Sequence, residues 1–129
     1  MSIQLNHTIV WSRDGKAGAL FLADVLGRPA PKRFGHFEVV DLDNGVSLDF
    51  ADKTGGDPAR QHYAFLLSEQ EFDRAFAKIQ DKGLTYWADP AQSRANQINR
   101  HDGGRGLYFE DPSGHLLEII TRPYGSGSS

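Results

Sequence analysis

Residues 106–118 read Gly106-Leu107-Tyr108-Phe109-Glu110-Asp111-Pro112-Ser113-Gly114-His115-Leu116-Leu117-Glu118. Gly106 to Glu110 and His115 to Thr121 have the pattern of strands, and Asp111-Pro112-Ser113-Gly114 supplies the residues of a type I turn between them. Side chains alternate along a strand, so Glu118 sits between Leu116 and Ile120 on one face, with Leu117 and Ile119 on the other. An ionised carboxylate there is expensive to bury without a positive partner, and no Lys or Arg lies nearby in the strand. A metal ion answers that problem.

The chain contains a second copy of this arrangement. Asp43-Asn44-Gly45 is a strong hairpin turn between strands His36–Val40 and Val46–Ala51. An acid again follows the turn glycine by four residues: Gly45 to Asp49, as Gly114 to Glu118. Each hairpin is preceded by a strand bearing a histidine and then by a helix. Leu5–Trp11 carries His7 and leads into a helix over about Lys16–Leu26, stopped by Gly27. Gln61–Leu67 carries His62 and leads through a capping box, Ser68 to Glu71, into a helix. Phe72, Ala75, Phe76 and Ile79 line one side of that helix, and Gly83 ends it. Thr54-Gly55-Gly56-Asp57-Pro58 is the clearest linker.

Pro29 and Pro31 mark a loop in the first half, while Thr85–Trp87 reads as a further strand in the second. The His-to-acid separations are 42 and 56 residues, and the polar segment Ala88–Arg105 accounts for the difference. The pattern is a duplicated βαβββ unit, whose two sheets are expected to meet around a shared concave face.

His7 shares its strand face with Leu5 and Ile9, and His62 shares one with Ala64 and Leu66. A lone histidine in a strand is ordinarily a hydrogen-bonded structural residue. The duplicated spacing shifts the reading toward ligation. Two imidazoles and a carboxylate, His7, His62 and Glu118, make an open divalent site, and imidazole suits zinc, iron, nickel and cobalt. Asp49 is the pseudo-symmetric candidate for a fourth ligand, one methylene shorter in reach.

Other residues divide between chemistry and packing. Ala88–Arg105 is too long to be idle in so small a domain, so it is expected to be a lid or disordered. Arg94, Arg100, His101 and Arg105 are placed to clamp a substrate carboxylate or phosphate, or else form an ordinary solvated loop. His101 is the candidate second-shell acid or base. Tyr108 lines the pocket or packs, and alternation puts Tyr63 opposite His62, which favours packing. His36 and His115 sit beside turns and are expected to be exposed. Gly125–Ser129 reads as a flexible tail.

Composition narrows the function. At 129 residues and 14.3 kDa the chain suits one compact domain, with about two-thirds of its surface buried on folding. With no cysteine, disulfides, thiolate metal sites and a cysteine nucleophile are excluded. The net charge is −3 and the 14 basic residues are scattered, which argues against nucleic acid as a partner. No apolar run spans a bilayer and no leader pattern opens the chain, so no membrane association and a cytoplasmic location are expected. A small-molecule substrate remains.

Leu5-Asn6-His7, His62-Tyr63-Ala64-Phe65 and the 106–118 stretch together resemble the vicinal oxygen chelate superfamily. That superfamily includes glyoxalase I, extradiol dioxygenases, fosfomycin-resistance thiol transferases and bleomycin-resistance proteins. The resemblance runs from Leu5 to about Tyr124. It implies an α+β fold of two paired βαβββ modules, about 5–52 and 61–121, forming a curled, mainly antiparallel sheet around a metal site. These would make a single glyoxalase-like domain over 1–124.

It also implies one divalent ion (Fe, Mn, Zn or Ni) on His7, His62 and Glu118, and a homodimer. In this reading Glu118 and His101 are catalytic, and Arg100, Arg105 and Tyr108 bind substrate. Glyoxalase I has a glutamate where Asp49 stands. The serine- and glycine-rich potassium loop of the fosfomycin enzymes is not evident, and bleomycin-binding members usually lack the ligands kept here. The expected function is a metal-dependent enzyme of glyoxalase or dioxygenase type, a lyase or isomerase or else a dioxygenase. It would chelate a small oxygen-rich molecule and stabilise an enolate or oxyanion. A fosfomycin-type thiol transferase conferring antibiotic resistance, or a non-catalytic drug- or metabolite-binding protein, are the alternatives.

Overall fold

A computed structural model describes residues 2–127. The chain forms two compact units, Met1–Ala59 and Arg60–Ser129, divided just after the predicted linker. Among the described residues no helix is long and apolar enough to cross a membrane.

The first unit contains strand β1 (His7–Ser12), helix α1 (Gly15–Leu26) and strands β2 (Lys32–Phe34), β3 (Phe37–Asp41) and β4 (Ser47–Asp52). The sheet order is β1-β4-β3-β2. β1 and β4 run parallel, and the other neighbours are antiparallel. Helix α1 starts where the Asp14 carboxylate accepts the Ala17 N–H at 3.1 Å, and it stops at Gly27, whose φ of 67° suits glycine. Small residues bring this helix close to the sheet. A Cβ on Gly18 would lie 3.1 Å from the Phe50 ring, and one on Gly15 would lie 3.2 Å from the Ala51 backbone. Ala19, Leu22 and Val25 of the helix are buried, as are Val10, Val40, Leu48 and Phe50 of the sheet.

The second unit repeats the design. It contains β5 (His62–Leu66), α2 (Glu69–Asp81), β6 (Tyr86–Trp87), β7 (Gly106–Glu110) and β8 (Leu116–Ile120), in the sheet order β5-β8-β7-β6. The parallel pair is now β5 with β8. The predicted capping box is present: the Ser68 hydroxyl accepts the Glu71 N–H at 3.1 Å, and Glu71 accepts the Ser68 N–H at 2.8 Å. Helix α2 presents large groups where α1 is small. Phe72 and Ile79 are fully buried, and the Phe76 ring meets the edge of Tyr86 at 5.1 Å. The duplicated βαβββ reading thus holds, as two four-stranded mixed sheets with mainly antiparallel pairing.

The sequence assigns no element to β2, whose three residues are all exposed. Two expectations need correcting. His115 is fully buried rather than exposed: its Nδ1 accepts the Gln61 N–H at 2.9 Å, and Tyr63 meets it edge-on. The segment 88–105 is folded, not disordered. Bridges Trp87–Ala95 and Asn99–Gly106 tie it to β6 and β7, and the Asp89 carboxylate accepts the N–H groups of Ser93 and Arg94.

Candidate metal centre

In each unit the helix covers one sheet face, and the other face carries the histidine. On β5, Phe65 is buried while His62, Ala64 and Leu66 are exposed. The parallel register sets His62 opposite Leu116 and Ala64 opposite Glu118, and the antiparallel register sets Tyr108 opposite Glu118. Alternation then brings His62, Glu118 and Tyr108 onto a single face.

There the side chains meet. His62 Nε2 lies 3.1 Å from Glu118 Oε1, and the Glu118 side chain is 1% exposed. The Tyr108 ring stacks on the imidazole, with centroids 5.9 Å apart. Behind the imidazole, Nδ1 lies 3.0 Å from the Leu116 carbonyl oxygen. A carbonyl only accepts, so Nδ1 carries the hydrogen, and Nε2 of a neutral ring presents its lone pair to the carboxylate. Two lone pairs at that distance call for a proton or a cation between them. Metal–ligand bonds of about 2.1 Å hold two donors on one ion about 3 Å apart when they subtend a right angle. The pair therefore fits a divalent ion, and the outward hydrogen bond of His62 is the usual support of a metal-binding imidazole.

Glu118 has a further partner. Its Oε2 accepts a hydrogen bond from the Tyr124 hydroxyl. The Tyr108 and Tyr124 hydroxyls are 2.9 Å apart. Burial, then the hydrogen bond to Glu118, raises the Tyr124 hydroxyl far above the ordinary tyrosine range. Burial likewise raises Tyr108, which remains a neutral phenol. Among the described residues the groups bonded to Glu118 are His62, Tyr124 and Tyr108, none of them a permanent cation.

The first unit repeats the register without the contact. His7 pairs with Ser47, and Asp49 lies two residues on, as Glu118 lies two beyond the partner of His62. His7 Nδ1 engages the Asn6 side chain at 2.7 Å, and Asp49 accepts the Ser47 hydroxyl at 2.8 Å. Both line a cavity of about 520 Å³ with Ile9, Phe34, Phe37 and Val39. Among the described residues no group of three or more His, Cys, Asp or Glu side chains gathers at one point. His62 and Glu118 are the pair that meets.

The loop residues are disposed differently. The guanidinium of Arg105 bonds Glu69 at 2.8 Å and Asp73 at 2.8 Å and lies 4.4 Å over the Phe72 ring, so it ties the start of α2 to β7. Arg94 lends its backbone N–H to Asp89. Arg100 is exposed, and so is His101 in a short 3-10 turn, His101–Gly103; neither joins the hydrogen-bond network of Glu118. Tyr124 was missed. The sequence shows it only as an aromatic residue after a proline, beyond the last strand, where periodicity gives no face. The expected tail is also corrected in part: the Gly125 and Gly127 N–H groups are held by Asp102, and residues 128–129 lie outside the described residues.

Comparison with known proteins places the chain in a family. Residues 4–119 match the model of the Glyoxalase/Bleomycin resistance protein/Dioxygenase superfamily. The solved structure of Oxidase ChaP-H2 is 58% identical, with TM-score 0.95, over 99% of this chain and 100% of that one. Glutathione transferase FosA of Serratia marcescens is 26% identical over 89% of this chain and 78% of its own length. Metallothiol transferase FosB of Shouchella clausii (strain KSM-K16) is 35% identical over 46% of this chain, which spans only 37% of that relative's length. The chain belongs to the glyoxalase, bleomycin resistance and dioxygenase superfamily.

Proposed function

We propose that this protein is a divalent-metal-dependent oxidase of dioxygenase type, acting on a small oxygen-rich molecule. His62 and Glu118 hold the ion. The observation that carries the reading is His62 Nε2 facing Glu118 Oε1 at 3.1 Å, on a buried carboxylate without a permanent cation. A bound ion supplies Lewis acidity toward two neighbouring substrate oxygens and open positions for dioxygen.

The chain's own groups do the rest. The Leu116 carbonyl fixes the imidazole tautomer, and Tyr108 stacks on the ring. Leu5, Ile9 and Trp11 alternate with His7 on an exposed apolar face, which favours a homodimer in which a second copy covers that face.

The 58% identity to a protein named an oxidase, over both full lengths, favours oxidation. The 26% likeness to a glutathione transferase supports thiol transfer as the second reading. The two separate in one assay. Protein loaded with ferrous ion is given catechols and enediols in an oxygen electrode, and in parallel fosfomycin with glutathione. Substrate-dependent oxygen uptake is expected, falling at least 100-fold in His62→Ala. Glutathione consumption without oxygen uptake would replace the first reading by the second.

A further inference from the structure

Segment 121–127 follows the last strand and returns to the sheet face that carries the His62–Glu118 pair. The 102–105 stretch receives it. The Thr121 N–H donates to the Arg105 carbonyl at 3.0 Å, and the Thr121 hydroxyl accepts the Arg105 N–H at 2.8 Å. Further on, the Asp102 carboxylate accepts the N–H groups of Gly125 at 3.1 Å and Gly127 at 3.3 Å. The approach leaves no room for side chains. A Cβ on Gly127 would lie 2.3 Å from the Asp102 carbonyl oxygen, and one on Gly104 would lie 2.6 Å from the Thr121 hydroxyl. Asp102 itself takes a positive φ of 57° to present this seat. Between the two anchored ends stands Tyr124, whose hydroxyl donates to Glu118 Oε2.

From this geometry we infer that Tyr124 is a positioning residue for the carboxylate ligand. Segment 121–127, seated on Asp102 and Gly104, delivers a phenol that holds one oxygen of Glu118 so that the other faces His62. The inference rests on the metal reading above and extends it to a residue outside the strand–turn–strand motif. It also gives the 88–105 segment a use, since its last turn is the seat of the strap. A buried carboxylate whose outer oxygen is held loses less freedom on binding an ion, and partners of this kind are worth about 10–100-fold in metal affinity.

The test is binding of Mn²⁺ alone, followed by its electron paramagnetic resonance signal, in the full chain and in Tyr124→Phe and Asp102→Ala. The expected result is an affinity about tenfold weaker in Tyr124→Phe, with an altered spectrum of the bound ion and an unchanged circular dichroism spectrum. Asp102→Ala, which leaves the phenol in place but unseats the strap, is expected to weaken binding in the same direction. A Tyr124→Phe affinity within twofold of the parent overturns the inference and leaves the metal site standing. Tighter binding in Tyr124→Phe overturns it as well, since the phenol would then compete with the ion. A parent that takes up no Mn²⁺ overturns the metal reading and this inference with it.

Discussion

One methylene separates Asp49 from Glu118, and the two units show what it does. Both acids stand two residues past the strand partner of a histidine. Glu118 spans the gap to His62, while Asp49 takes the nearby Ser47 hydroxyl and His7 turns to Asn6. The duplicated spacing was legible in the sequence; the difference in reach decides which copy assembles a donor pair. His115 teaches a related lesson. Its place beside a turn suggests exposure, yet its Nδ1 is the acceptor that satisfies the Gln61 N–H as that chain enters β5. His115→Ala would orphan that amide and leave a void. It is predicted to cost about 2–4 kcal/mol of stability by urea denaturation, with metal uptake retained. Loss of metal with unchanged stability would contradict this structural assignment.

At the scale of elements, the long amphipathic signals were legible because they rest on local chemistry: the Ser68 capping box, the glycine stops at Gly27 and Gly83, and the two hairpin turns. What escaped was held by tertiary contacts. β2 is three exposed residues whose only signal is its partner β3. The 88–105 segment is polar and aperiodic, and its order comes from side chains that meet far apart in sequence.

Arg60, Gln92 and Glu110 form one such clamp. Arg60 donates to Glu110 at 2.8 Å and to Gln92 at 3.1 Å, and the Gln92 amide donates to Glu110 at 3.0 Å. The Gln92 amide first, and then the Arg60 guanidinium, hold the Glu110 carboxyl below its usual range. A lowered carboxyl contributes stability that is present above the ordinary value of 4.5 and fades as pH falls through the lowered one. Arg60→Met is therefore predicted to move the acid-unfolding midpoint upward and to leave stability nearly flat between pH 6 and 8, roughly, where the carboxyl stays ionised. An unchanged acid midpoint would show that the clamp contributes nothing to folding.

For the whole molecule, the same five-element design occurs in both units, each with its helix on one sheet face and its histidine on the other. The fold and the donor pair were therefore largely readable from the sequence, because hairpin turns, helix caps and the His-to-acid spacing recur. The Tyr124 strap was not, because a segment beyond the last strand has no period to reveal its face. Neither was the commitment of Arg105 to α2, since an arginine in a polar loop reads equally well as a clamp on substrate or on a helix. If His62 and Glu118 hold a metal ion in a paired molecule, native mass spectrometry of the chain reconstituted with Fe²⁺ or Mn²⁺ reads assembly and metal content together. The expected result is a dimer carrying close to one ion per chain, with the ions lost in both His62→Ala and Glu118→Gln while the dimer persists. A parent that stays metal-free after reconstitution, or variants that keep their ion, would contradict it.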